Sequence, residues 1–247
     1  MSIYKNKTII KIGNFFFKYR NKVFPLIIAA LFLIMPPPTS LFESEGLERV
    51  KDILACLIAV SGLVIRGTVI GFAYIKRGGR NKQVYADNLV KEGMFSICRN
   101  PLYFGNMLIY SGVFLMHGAL PVILPGIAIF YFIYICIIAA EEQYLRNKFG
   151  AEYDVYEATT NRWIINFTKF RTATSGMYFN YKKVILKDYP TIFTTLLILV
   201  IIEEYEDFMG GEIHSTAYQF AFAGFTIFCV STMLIISYMK KNRILTA

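Results

Sequence analysis

The chain is poor in charged residues. Only 17% of its 247 residues are Asp, Glu, Lys or Arg, whereas a soluble domain usually carries about 25%. Hydrophobic residues make up 55% of the sequence, and the mean hydropathy is +0.47. Several runs with almost no charge approach the roughly 20 residues that cross a bilayer core. The composition therefore predicts an all-α, polytopic membrane helical bundle and argues against a soluble globular domain.

The sequence also shows no clustered cysteines and no pattern typical of a cleavable leader. Its four cysteines lie in or beside apolar runs and form no CxxC pair and no Cys/His cluster, so we expect neither a disulfide framework nor a zinc site. No short apolar stretch followed by a small-residue cleavage site stands at the N-terminus, so we expect no removable signal peptide.

Six apolar runs predict about six transmembrane helices. The first contains three consecutive prolines, which must break or end its helix, and the third and fourth are joined so closely that they form a helical hairpin. We expect residues 1–189 to form the membrane core and residues 190–247 an appended transmembrane hairpin. The six runs are 23–42, 53–75, 102–116, 120–140, 191–202 and 217–239.

Basic residues are concentrated on one side of these spans. Of the 26 Lys and Arg residues, 23 lie before the first span, in 76–100, in 141–189 or in the C-terminal tail, whereas the opposite connections hold nine of the 17 acidic residues. The positive-inside rule then predicts that both termini and any site beside the basic loops are cytoplasmic. The net charge of +9 is thus a topology signal with some attraction to anionic membrane lipids, and nucleic acid is not an expected partner.

The stretch "RNPLY" stands at the start of the third run. Asn is a favoured N-cap and Pro suits the first helical position, so Asn100 and Pro101 are predicted to begin the third helix, with Arg99 at headgroup level. The free N–H groups of such a helix start suit an anion. Gly105 and Gly112 share one face of the helix, where a neighbouring helix or a ligand can approach the backbone closely.

A second polar motif, "EEQYLRNKFGAEYDVY", follows the fourth run. Two adjacent carboxylates at a bilayer boundary form either a solvated helix end or a site for a cationic ligand. Because the third and fourth runs form a hairpin, Glu141 and Asn100 are both expected at its cytoplasmic mouth.

The two motifs in this order resemble the isoprenylcysteine carboxyl methyltransferase family and its relatives, the phospholipid N-methyltransferases. The family pattern is LVxxGxYxxxRHPxYxG, a hairpin, and then EExxLxxxFGxxYxxY, and the resemblance covers about residues 53–165. It implies an integral-membrane enzyme that uses S-adenosylmethionine to methylate a lipophilic small molecule or lipid.

The resemblance also implies a cytoplasmic cofactor site. Phe95 stands where the family usually has Tyr, and Asn100 replaces a His; an Asn still donates and accepts hydrogen bonds but does not titrate. Glu141 matches the acid that contacts the cofactor through a ribose hydroxyl or the ammonium group. The implied cofactor residues are Arg80, Asp87, Asn88, Leu89, Val90, Phe95, Asn100, Pro101, Leu102, Tyr103 and Glu141.

The acceptor differs from prenylcysteine, in our interpretation. Ile137 occupies the position at which the prenylcysteine enzymes carry an Arg that meets the acceptor carboxylate. Arg66 lies about 15 Å before the end of its helix, so it either snorkels to the interface or lines a polar pocket. Arg66, Glu142 and Arg162 are the catalytic candidates, although none is a certain general base.

Two other functions remain open from the sequence. Membrane sterol reductases carry a polar motif similar to RNPLY before a helical hairpin, and they use NADPH. Their second motif, however, has Arg-Asp and Cys where this chain has Glu-Glu and Leu. A non-catalytic scaffold of the same fold is suggested by Phe95, Asn100 and Ile137, which all depart from the family pattern.

Overall fold

The computed structural model describes residues 3–38, 44–72, 84, 86–211 and 215–246. Over these ranges the protein is all-helical, as predicted. Two short 3-10 helices lie at Ile3–Lys5 and Phe167–Lys169. The α-helices are α1 (Lys7–Phe32), α2 (Glu45–Phe72), α3 (Met94–Ile97), α4 (Pro101–His117), α5 (Leu120–Phe149), α6 (Ala151–Thr159), α7 (Phe170–Ala173), α8 (Tyr181–Gly210) and α9 (Thr216–Lys241).

Four of these helices are long and apolar enough to cross a bilayer. They are Gly46–Phe72, Leu120–Phe149, Tyr181–Gly210 and Thr216–Lys241, and they support an integral membrane protein. The predicted third span coincides with α4, but this helix has only 17 residues and is therefore about 25 Å long at 1.5 Å per residue. The total of six spans stays a prediction.

The first predicted span, 23–42, has the wrong limits. Helix α1 begins at Lys7, where Asn6 accepts a hydrogen bond from the Thr8 amide at 2.8 Å, and it ends at Phe32. The basic N-terminal residues thus belong to the helix, since straight-chain Lys and Arg are good helix formers and hydropathy alone does not mark a helix end. Pro36 and its two neighbours lie after the helix, which agrees with their expected role as terminators.

The fifth predicted span, 191–202, was expected to be short, and this is wrong. Helix α8 has 30 residues because its caps lie well outside the apolar run. The Asn180 side chain accepts from the Lys183 amide at 2.9 Å at the start, and Gly211 adopts the left-handed conformation at the end, a common C-terminal cap. Helix α8 packs against α2 and α4 as well as α9, and the predicted division between 189 and 190 stays a prediction.

Glycines set the distance between α2 and α4. A Cβ atom on Gly62 would lie 2.5 Å from the Gly105 carbonyl oxygen, and one on Gly112 would lie 2.6 Å from the Ala55 carbonyl oxygen. Side chains at these positions would separate the helices, so the close approach predicted at Gly105 and Gly112 is confirmed.

Helix α1 crosses α5 equally closely. A Cβ atom on Gly13 would lie 1.9 Å from the Cys136 carbonyl oxygen. Aromatic rings fill the core beside this crossing, where the Phe24 ring contacts Phe130 and Tyr134 with centroids 5.1 and 6.0 Å apart. The first helix is therefore part of the core that supports the two polar motifs.

Candidate functional site

Asn100 and Pro101 begin α4, as the sequence predicted. The Asn100 side chain does not cap the helix; its Nδ2 atom donates instead to Glu142 Oε1 at 3.3 Å and to the Arg162 carbonyl oxygen at 3.2 Å. Arg99 is buried as well, with only 9% of its surface exposed, and its expected place at headgroup level stays a prediction. Both residues turn inward to meet the second motif.

The Glu142 carboxylate accepts hydrogen bonds from both segments. Its side chain is 3% exposed, and it binds Arg99 Nε at 3.1 Å and Arg162 Nη2 at 2.8 Å. Arg162 Nε also lies 3.0 Å from each carboxylate oxygen. Charge-assisted contacts of this kind are about twice as strong as neutral hydrogen bonds, so Glu142 joins the start of α4, the end of α5 and the turn after α6.

Glu157 extends the same group of charges. It contacts Arg162 Nη2 at 3.0 Å and forms an ion pair with Arg146. Burial opposes its ionisation, but the hydrogen bond from Arg146 and the charges of Arg146, Arg99 and Arg162 outweigh burial and hold the pKa of Glu157 below its ordinary value. We call Arg99, Glu142, Arg146, Glu157 and Arg162 the Glu142 cluster.

Glu141 has a different environment from its neighbour, since successive residues point about 100° apart around a helix. The Tyr103 hydroxyl donates to Glu141 Oε1 at 2.7 Å. Arg20 of α1 interacts with the Tyr103 hydroxyl, and its charge acts on Glu141. Sequence reasoning missed Arg20, although it lies three residues after Phe17 and four before Phe24, on the buried face of α1.

The polar loop before α3 contacts the core and the last part of α5. Val84 packs against the core cluster that includes Tyr134 and Ile137, against which Tyr103 also packs, and Lys148 of α5 donates to the Ala86 carbonyl oxygen. Of the predicted cofactor residues in the loop, Asp87 and Asn88 are exposed and Leu89 and Val90 are half-buried. Arg80 lies outside the described residues.

Three predicted cofactor residues are packing positions. Phe95 and Leu102 pack against the buried group that includes Val69 and Ile97, and Pro101 is buried. The Phe95 carbonyl oxygen accepts from the Tyr156 hydroxyl at 2.7 Å, so the backbone at this position is polar even though its ring is not.

Cys98 directly precedes the RNPLY stretch, between Ile97 and Arg99. Its thiol faces the carbonyl oxygens of Trp163 at 3.4 Å and Arg162 at 3.6 Å. Burial raises the pKa of the Cys98 thiol to about 11, so this group stays protonated at neutral pH and is a poor nucleophile.

Arg66 does not join the Glu142 cluster. Its Nε atom lies 3.2 Å from Asp188 Oδ2, and Nη1 and Nη2 contact Asn106 and the second Asp188 oxygen. Asp188 is fully buried. Arg66 therefore faces the interior of the bundle rather than snorkelling, and its partner on α8 was missed because the apolar pattern did not extend that helix to Asp188.

Ile137 is fully buried in the core beside Phe17 and Tyr134. The position at which the resemblance places an acceptor-binding cation is therefore apolar in three dimensions as well as in sequence.

Comparison with known proteins gives one match. Residues 52–152 match the family model described as phospholipid methyltransferase. The matched segment is less than half of the chain, but it includes both the RNPLY stretch at the start of α4 and the carboxylate pair of α5. No curated protein and no solved structure was found to match the chain. The resemblance noted in the sequence is confirmed over this segment. Together with the four apolar helices, it supports a membrane methyltransferase that uses a methyl donor and acts on a lipid.

Proposed function

We propose that the protein is an S-adenosylmethionine-dependent methyltransferase whose acceptor is a lipid or a small hydrophobic molecule. The supporting observation is the meeting of the two motifs: Tyr103 binds Glu141 at 2.7 Å, and Asn100 binds Glu142 at 3.3 Å. Two polar segments separated by a hairpin thus meet at two contacts, one for each carboxylate, next to an apolar core.

The residues present fit the cofactor. The half-buried carboxylate of Glu141 suits a ribose hydroxyl or an ammonium group, because either donates to a charged acceptor. Exposed Asp87 and Asn88 add polar groups from the loop that Lys148 of α5 contacts at Ala86. In this proposal Glu141, Tyr103, Asp87 and Asn88 hold the cofactor, which supplies an electrophilic methyl group when bound.

The chain's own residues position the reactants and exclude water, which contributes much of the acceleration in group transfer. The Glu142 cluster holds the end of α5 and the start of α4 in place, and Arg20 and Tyr103 orient Glu141. Both oxygens of Glu142 bind Arg162, so we assign Glu142 and Arg162 positioning roles. A carboxylate or thiolate acceptor needs no general base, whereas an amine or phenol would gain from one.

Ile137 is fully buried and supplies no cation for an anionic acceptor group. The cations Arg20 and Arg66 already interact with Tyr103 and Asp188, respectively. Since an unpaired buried charge is strongly disfavoured, prenylcysteine is expected to be a poor substrate.

The test is a methylation assay with radiolabelled S-adenosylmethionine. The purified protein is incubated either with a total lipid extract of membranes or with N-acetyl-farnesylcysteine, and a Glu141→Gln variant serves as the inactive control. We expect label in lipid, little in farnesylcysteine and a strong loss in the variant. Rapid labelling of farnesylcysteine without labelled lipid would contradict the acceptor assignment, and no labelling of either would contradict the proposed activity.

A further inference from the structure

An ion pair inside the helical bundle joins Arg66 of α2 to Asp188 of α8. Arg66 Nε lies 3.2 Å from Asp188 Oδ2, and Nη2 contacts the other oxygen, so the pair is bidentate. The Arg66 side chain is 13% exposed and that of Asp188 is fully buried. Asn106 of α4 binds Nη1, and Thr191 lies 3.4 Å from Nη2.

This pair lies close to the candidate site along α4. Asn106 is about one helical turn beyond Tyr103, whose hydroxyl binds Glu141. The rings of Tyr103 and Tyr134 are 5.4 Å apart. The ion pair and Glu141 thus contact neighbouring turns of α4, through Asn106 and Tyr103.

The charge balance around Arg66 depends on Asp188. An unpaired buried guanidinium is strongly disfavoured and would attract an anionic group. Asp188 satisfies Arg66 from within the chain, and the bidentate geometry occupies the face that would otherwise bind a carboxylate. The carboxylate of Asp188 thus occupies the guanidinium face that an anionic acceptor would need in order to pair with Arg66.

We propose that Asp188 determines which acceptors enter: by neutralising Arg66 it excludes lipids that end in a carboxylate and admits lipids whose polar end is uncharged or cationic. This inference rests on the proposed methyltransferase function for the role of the bound lipid. The binding preference itself is measurable without a methyl donor.

The test measures binding of two matched probes to the purified full chain in detergent micelles. One probe is spin-labelled stearic acid and the other is spin-labelled stearylamine, and electron spin resonance reports the immobilised fraction of each. The wild-type protein is expected to prefer the amine. Asp188→Asn is expected to shift the ratio of the two dissociation constants toward stearate by about tenfold, which equals about 1.4 kcal/mol. Arg66→Gln is expected to shift it toward the amine, because Asp188 is then unpaired.

Two control variants separate selectivity from a structural tie between α2 and α8. The double variant Arg66→Gln/Asp188→Asn is expected to lie between the single variants. Ser61→Ala, which removes an exposed hydrogen bond from Ser61 to the Ile58 carbonyl oxygen within α2, is expected to leave the ratio unchanged. A pair that only holds the helices together would change both affinities in the same direction and leave the ratio constant in every variant, which would overturn the proposal.

Folding defects do not prevent a decision. If Asp188→Asn fails to fold, an unchanged ratio in Arg66→Gln still contradicts the proposal, and a shift toward the amine supports it. Failure of the proposed function is a separate result, since it would appear as absent methyl transfer in the wild-type protein whatever the lipid ratios are.

Discussion

Glu142 has more charged partners than its neighbour Glu141, and the two carboxylates differ in role for that reason. Glu142 binds Arg99 and Arg162 with a side chain that is 3% exposed. Glu141 binds a tyrosine hydroxyl and lies near Arg20. Adjacent acids in the sequence therefore become a structural acid and a candidate ligand-binding acid.

The substitution Glu142→Gln is expected to destabilise the protein by about 3 kcal/mol or more, because removing one partner of a buried ion pair leaves the other charges uncompensated. The free energy of unfolding in mixed micelles is the measurement. Glu152→Gln is the matched control: it removes an exposed pair with Lys91, whose side chains are 48% and 50% exposed, and such pairs contribute about 0–1 kcal/mol. Equal effects of the two substitutions would contradict the role of Glu142.

Glu157 makes stability depend on pH. Its folded pKa lies below the ordinary value, so its contribution is present in full above the ordinary glutamate pKa of about 4.3 and is lost as the pH falls through the lower folded value. The melting temperature is therefore expected to fall on acidification in that range. In Glu157→Gln this part of the pH dependence should disappear; an unchanged acid profile would argue against the assignment.

At the scale of single helices, the sequence predicted the contacts between helices more accurately than the residues at which helices begin and end. The hairpin of α4 and α5 and the glycine face of α4 followed from local spacing. The limits of α1 and α8 did not follow from the sequence. Asn6 and Asn180 cap the starts of these helices and Gly211 caps the end of α8, and hydropathy does not detect such caps. Arg20 and Asp188 were missed for the same reason, since each lies outside the apolar runs on which the spans were based.

The α2–α4 crossing gives a prediction at this scale. Gly112→Ala would place a Cβ atom 2.6 Å from the Ala55 carbonyl oxygen and 2.8 Å from the Ala59 amide nitrogen. Backbone atoms cannot yield as a flexible side chain can, so we expect a loss of about 1–3 kcal/mol, as for other overpacked cores.

Gly224 of α9 is the control for this substitution, because a Cβ atom there meets nothing within 4 Å. Gly224→Ala should be neutral or stabilise the helix by up to about 1 kcal/mol, which reflects helix propensity alone. Unfolding titrations of both variants in the same micelles provide the comparison; a neutral Gly112→Ala would show that α2 and α4 are not held at this distance.

For the whole molecule, the charge distribution predicts the orientation in the membrane. Both termini are expected to be cytoplasmic and residues 203–216 to lie on the far side. A single cysteine introduced at position 210 in a variant without the four native cysteines should react with an impermeant reagent added outside intact cells. Labelling of that position only after the cytoplasmic side is exposed would reverse the predicted topology.

The candidate cofactor site combines residues from three helices, because α1 supplies Arg20, α4 supplies Tyr103 and α5 supplies Glu141. Sequence reasoning identified Tyr103 and Glu141 through the spacing of two motifs. It could not place Arg66 relative to them, since the direction of a side chain in a bundle depends on helix rotation and on partners far away in the sequence, here Asp188.

Cofactor binding tests the central claim most directly. The purified protein is titrated with S-adenosylhomocysteine and, separately, with NADPH by isothermal calorimetry, with Glu141→Gln as the site variant and Glu152→Gln as the surface control. We expect S-adenosylhomocysteine to bind, NADPH not to bind, and Glu141→Gln to weaken binding by at least about 1.5 kcal/mol, the scale of a charge-assisted hydrogen bond. Saturable binding of NADPH without binding of S-adenosylhomocysteine, or an affinity that Glu141→Gln leaves unchanged, would contradict the account.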